Sequence, residues 1–129
     1  MPKKFFIKLN YKSISDLNNS IRNNIYKIPK DVDLVVGVPR SGMLAANIIA
    51  LNLNISFVSI DEFLNNIKIK SSIRIKNKLE KCSDANKVLI VDDSVNAGHT
   101  IENIKQSLTK STSNFIYCCI YGLKKTYDK

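Results

Sequence analysis

Val88-Leu89-Ile90-Val91-Asp92-Asp93-Ser94-Val95-Asn96-Ala97-Gly98-His99-Thr100 is the stretch on which the reading of this chain turns. Four apolar residues in a row, three of them β-branched, predict a strand buried on both faces. Two adjacent carboxylates stand at its carboxyl end. A loop of small residues follows, and Thr100 opens a pattern (Ile101, Ile104, Lys105, Leu108) with helical spacing. Strand, acidic pair, small-residue loop and helix make one half of a nucleotide-type site. Backbone N–H groups of the loop and the helix amino end suit a phosphate. The acids suit sugar hydroxyls or a hydrated Mg²⁺.

Working outward, Asp31-Val32-Asp33 leads into Leu34-Val35-Val36-Gly37-Val38, a second apolar run that predicts a fully buried strand. Pro39-Arg40-Ser41-Gly42-Met43 follows, then an apolar helix from Leu44 to Leu53. Arg40 places a fixed cation at a strand's carboxyl end, where open α/β sheets bind ligands. Gly42 allows either a close backbone approach or a positive φ. Upstream, Ile14, Leu17, Ile21, Ile25 and Ile28 recur at spacings of three and four, with Ser15-Asp16 as a helix-start signal and Pro29 as a stop. Residues 5–12 alternate weakly and predict a short first strand.

Ile55 to Ile60 predicts a third core strand. Residues 66–81 then alternate apolar and basic, which suits a β-hairpin arm with Ser71-Ser72 near its turn. Lys68, Lys70, Arg74, Lys76 and Lys78 would share one face, either closing over a polyphosphate or discouraging strand-to-strand aggregation. Phe115 to Tyr121 predicts a last parallel strand. Helices alternating with apolar strands give an α/β fold, a parallel sheet flanked by helices in one domain over 1–129, with an N-terminal strand and helix in 1–30 and a core in 31–122.

The composition sets outer bounds. The chain has 129 residues, 44% hydrophobic and 24% charged, and its longest apolar run is far too short to span a bilayer. Its start lacks a long apolar region, so no signal peptide is expected. Three cysteines, Cys82, Cys118 and Cys119, show no metal-ligand spacing and fit a reducing compartment, so a cytoplasmic location is expected. A net charge of +9 favours polyanionic partners, although a lysine-rich solvated surface accounts for most of it.

VLIVDDSVNAGHT resembles the phosphoribosyl-pyrophosphate (PRPP) motif of type I phosphoribosyltransferases. GVPRSGM, about 50 residues upstream, is similar to that family's pyrophosphate loop, and the two stand in the family's order. Asn96 departs from the motif. Response-regulator receiver domains also carry a strand ending in an Asp pair, but there the pair closes the first strand. Only 36 residues follow Asp93 here, too few for a receiver. The resemblance covers about residues 30–122 and implies a flavodoxin-like strand order. The family's usual fifth core strand, after Phe115–Tyr121, is not evident.

The resemblance further implies transfer of 5-phosphoribosyl from PRPP, with Mg²⁺, to an acceptor, releasing pyrophosphate. Asp92 and Asp93 would bind the ribose hydroxyls and fix the Mg²⁺ shell, largely through PRPP and water. Ser94, Val95, Asn96, Ala97, Gly98, His99 and Thr100 would hold the 5-phosphate. Pro39, Arg40, Ser41 and Gly42 would take the pyrophosphate, making Asp92, Asp93 and Arg40 the catalytic candidates. His99, the only histidine, occupies a variable motif position beside a helix amino end that disfavours its charged form. No general base stands out, Asp61 and Glu62 being the nearest guesses. The opening DVDLVVGVPRSGMLAAN resembles short members associated with surface-polysaccharide synthesis, which puts a sugar or glycan acceptor first and a nucleobase of nucleotide salvage second. A non-catalytic nucleotide- or RNA-binding regulator of the same fold ranks below both. Many relatives are homodimers, but no self-complementary surface can be picked out in the sequence.

Overall fold

The computed structural model describes residues 3–6, 14–39, 41–70, 75, 78–92 and 98–119. In chain order these form β1 (Lys3–Phe6), α1 (Ile14–Asn24), β2 (Leu34–Gly37), α2 (Ser41–Leu53), β3 (Ser56–Ser59), α3 (Ile60–Leu64), β4 (Lys87–Asp92), α4 (Gly98–Ser107) and β5 (Asn114–Cys119). The five strands make one parallel sheet in the order β1-β5-β4-β2-β3. From β3 to β5 this is the expected flavodoxin-like order. The place beyond β5 is taken by β1, with Lys3 opposite Ile116 and Phe6 opposite Cys119.

Side-chain alternation divides the core into two layers. Val35, Leu89, Val91, Ile116 and Cys118 face α1 and α2, and Leu34, Val36, Ile90, Phe115 and Tyr117 face α3 and α4. Every residue of β2 is buried, as its unbroken apolar run requires. Adjacent Cys118 and Cys119 therefore belong to opposite layers, and both are free buried thiols. Desolvation raises the Cys118 thiol far above its ordinary range, with Cys119 beside it adding to the rise.

Helix α1 buries Leu17 and Ile21, while Ile14 is 66% exposed and starts the helix without joining its buried stripe. Asp16 lies in the first turn, where its charge suits the helix dipole, and is not the cap. Ile28, next to Pro29, is pushed into an extended conformation (φ −84°, ψ 127°), which ends the helical segment after a 3-10 turn at Ile25–Lys27. Helix α2 ends in a Schellman motif. Asn54 adopts φ 57°, its N–H donates to the Leu51 carbonyl, and the Ile55 N–H donates to the Ala50 carbonyl. Asn66 (φ 48°) closes α3 the same way. Among the described residues no helix is long and apolar enough to cross a membrane.

Of the expected arm, the structure describes the base. Lys68 pairs with Lys81 in one antiparallel bridge, and the Ile69 N–H donates to the Glu80 carbonyl at 2.8 Å. A longer ladder is absent among the described residues. Lys68, Lys70 and Lys78 are exposed, whereas Ile67, Ile69 and Leu79 are half-buried against the α3/α4 layer. The alternation read from the sequence is thus present at the base. Ser71, Ser72, Arg74 and Lys76 lie outside the described residues.

The amino ends of the central strands β2 and β4 are held together by one carboxylate. Asp33, buried just before β2, accepts from the backbone N–H groups of Asn86 (2.9 Å) and Lys87 (3.1 Å), which open β4. Its own N–H donates to the Lys87 carbonyl, and the Lys87 ammonium pairs with Asp31. Asp33→Ala orphans two part-buried donors. The expected cost is about 2–3 kcal/mol, read as a fall in Tm of roughly 7–11 °C. Asp33→Asn, which keeps one acceptor oxygen, should lie between.

Candidate functional site

From β2 the chain crosses to β3 on one side, and from β4 it crosses to β5 on the other. The crossover helices lie on opposite faces of the sheet, since α2 packs with one layer and Ile104 and Leu108 of α4 and its end pack with the other. The strand order therefore reverses between β2 and β4. A crevice opens outside their carboxyl ends, the place where open α/β sheets bind ligands.

The two strand ends are held close. Beyond Gly37, the Val38 N–H donates to the Val91 carbonyl at 2.9 Å and extends the β2–β4 ladder by one residue. Pro39 is exposed in the turn that follows, and α2 starts at Ser41. Gly42 is buried in the first turn of α2. A Cβ there would lie 2.7 Å from the Val91 carbonyl oxygen and 3.1 Å from the Asp92 Cα. The glycine is thus required by close approach to the backbone of β4, and no described glycine has a positive φ. Of the two roles the sequence leaves open, the structure selects the first, with the strand as the near neighbour.

The result is a helix amino end set against the carboxyl end of β4, where Asp92 is 4% exposed. The first-turn N–H groups of a helix are unsatisfied by the helix itself and carry partial positive charge. A second helix, α4, starts at Gly98 after the same strand. Gly42 and Asp92 are therefore brought together. Ser41, Gly98, His99 and Thr100 are placed in helix first turns by their backbone. Arg40, Asp93, Ser94, Val95, Asn96 and Ala97 lie outside the described residues.

Glu62, guessed from sequence as a nearby base, has a structural duty. Its Oε1 accepts from the Ser59 N–H at 2.8 Å, and Ser59 Oγ accepts from the Glu62 N–H at 3.1 Å. This capping box starts α3, and the Ser-Ile-Asp-Glu run at 59–62 carries its signature. Asp61 is exposed. Beneath α3, Cys82 donates to the Glu62 carbonyl at 3.7 Å. Burial first, and the Glu62 charge second, raise its thiol above the ordinary range.

Several known proteins share this fold. Xanthine-guanine-hypoxanthine phosphoribosyltransferase from Helicobacter pylori superposes with a TM-score of 0.57 at 15% identity, over 96% of this chain and 78% of that one. A purine phosphoribosyltransferase from Pyrococcus horikoshii gives 0.52 at 20% identity, over 93% and 86%. Adenine phosphoribosyltransferase from Saccharomyces cerevisiae gives 0.53 at 17% identity, over 88% and 70%. At these identities the likeness speaks for the fold. No curated protein sequence matches significantly. The model of the phosphoribosyl transferase domain matches residues 9–126, nearly the whole chain and both strand ends that flank the crevice. On that match, the chain belongs to the phosphoribosyl transferase domain family.

Proposed function

We propose that this protein transfers the 5-phosphoribosyl group of PRPP to a nucleobase, releasing pyrophosphate. The observation that carries the proposal is the seating of Gly42 on Val91 and Asp92, which sets the first turn of α2 beside the acid that ends β4. PRPP needs such a pairing, with cationic or N–H surface for its pyrophosphate and a carboxylate for its ribose. In this reading Pro39, Arg40, Ser41 and Gly42 take the pyrophosphate. Asp92 and Asp93 accept from the 2- and 3-hydroxyls of the ribose, and residues 94–100 hold the 5-phosphate at the start of α4. The bond from C1 to the pyrophosphate oxygen breaks as a nitrogen of the base attacks from the opposite face. The proton of that nitrogen leaves to solvent. Negative charge at Asp92 and Asp93 favours the oxocarbenium-like transition state.

Mg²⁺ fits this donor set. Asp92 offers hard carboxylate oxygens at a protected strand end, the ligand type that Mg²⁺ combines with substrate phosphates and water. When bound, the ion would neutralise charge developing on the pyrophosphate.

A nucleobase acceptor is preferred to the sugar or glycan acceptor that the chain's opening suggested. The three similar structures described above are named as purine-type phosphoribosyltransferases, and no feature of the described residues favours a sugar.

Calorimetric titration of PRPP with and without Mg²⁺ tests the donor, and pyrophosphate release with adenine, guanine, hypoxanthine and uracil tests the acceptor. Metal-dependent binding of one PRPP, with release stimulated by at least one base, is expected. Absence of PRPP binding would remove the reading, and release stimulated only by sugars would return the acceptor to a glycan.

A further inference from the structure

Positive charge is concentrated in the arm. Residues 66–81 carry six basic residues against one acid, which is five of the chain's nine net charges in 16 of its 129 residues. Four of these cations, Lys68, Lys70, Lys78 and Lys81, are described and exposed. Lys68, Lys78 and Lys81 line an open cleft of about 380 Å³, with Ile69 and Leu79 as its apolar wall and Glu80 as its one acid. None of the four makes an ion pair among the described residues.

Two features of this cluster call for an anion. Lys68 and Lys81 are direct partners in the antiparallel bridge. Like charges opposite one another destabilise such a pair, and an anionic oxygen between the ammonium groups removes the penalty. Lys68 and Lys70 are two residues apart, which in extended chain puts them about 6.8 Å apart on one face. That repeat is comparable to the spacing of successive phosphates along an extended nucleic-acid strand.

The cleft is also distinct from the crevice at Asp92. Lys81 immediately precedes the turn Cys82–Asp84, which feeds the amino end of β4, whereas Asp92 closes the carboxyl end.

We infer that the base of the arm, through Lys68, Lys70, Lys78 and Lys81, binds the phosphate backbone of nucleic acid without reading its sequence. Residues 66–81 contain no aromatic side chain on which a base could stack. Binding is therefore through phosphates and salt-sensitive. Four contacts to a single strand predict a log–log salt slope near −2.8, or about a 50-fold loss between roughly 50 and 200 mM salt.

The test is fluorescence anisotropy with a fluorescein-labelled mixed-sequence single strand of about 20 nucleotides. Wild type is compared with K68Q/K70Q/K78Q/K81Q and with K30Q/K110Q, which removes two exposed lysines elsewhere. Circular dichroism verifies that each variant is folded. Binding by wild type is expected, with a loss of at least about 30-fold in the arm variant and a loss of less than about threefold in K30Q/K110Q. Asp92→Asn should bind the strand as wild type does, so failure of the transferase reading would leave this result standing. Equal affinity of the wild type and the arm variant, or no binding at 50 mM salt, would overturn the inference. Displacement of the strand by PRPP with Mg²⁺ would also overturn it, by assigning the arm to the donor.

Discussion

Replacing Asp92 and Asp93 together by Asn is expected to lower PRPP-dependent turnover by at least about a hundredfold, while Tm stays within a few degrees of wild type. Asn preserves the shape of each side chain and one acceptor oxygen but removes both charges. The loss should therefore fall mainly on kcat, where charge on the ribose ring develops, and less on PRPP affinity. Stability should survive because Asp92 is a buried carboxylate, and replacing a buried charge by a neutral isostere relieves its desolvation cost. Initial rates of pyrophosphate release and a thermal melt on the same preparation check both halves. Turnover at the wild-type level would remove the acids from the reaction.

Gly42→Val is expected to act through the backbone. The new Cβ would meet the Val91 carbonyl oxygen at 2.7 Å, and neither partner can yield as a side-chain end could. Either the first turn of α2 lifts from the sheet or β4 shifts at its carboxyl end. Overpacking of this kind costs about 1–3 kcal/mol. The larger effect is on the ligand, because both movements separate the helix amino end from Asp92. PRPP affinity should fall by at least about tenfold, since displacements of about 1 Å in a positioned site already carry such losses. Calorimetry on the variant decides. A folded Gly42→Val protein with wild-type affinity would mean that the close approach is only packing.

Much of the core was legible because its signals are local. Leu34–Val38 and Val88–Val91 are apolar runs that only a doubly covered strand explains, and both became adjacent central strands. Helix α2 needed only its apolar length. Other features depend on partners distant in sequence. Residues 5–12 alternate only weakly; the register with β5 places β1 at Lys3–Phe6, and residues 7–12 lie outside the described residues. The sequence shows Asp33 only as a residue leading into a strand, and its backbone partners at Asn86 and Lys87 lie more than 50 residues away. Helix α3 has five residues, too few to show a period, although its capping box was written in Ser59 and Glu62. At the site, the type of residue at Gly42 and Asp92 was readable and their contact was not. Gly42 is small because another strand's carbonyl passes beneath it, a fact only the fold contains.

The pairing of β1 with β5 also bears on how the protein is made. A ribosome releases Asn114–Cys119 more than 100 residues after Lys3–Phe6, yet the structure sets these two segments side by side. The four strands from β2 to β5 can assemble as they emerge. The first strand must wait for its partner while β2, β3 and β4 are made. Closing so long a loop is among the slow events of folding. The outer edge of β5 is thus the last to be covered, and it is there that a newly made chain is open to pairing with its neighbours.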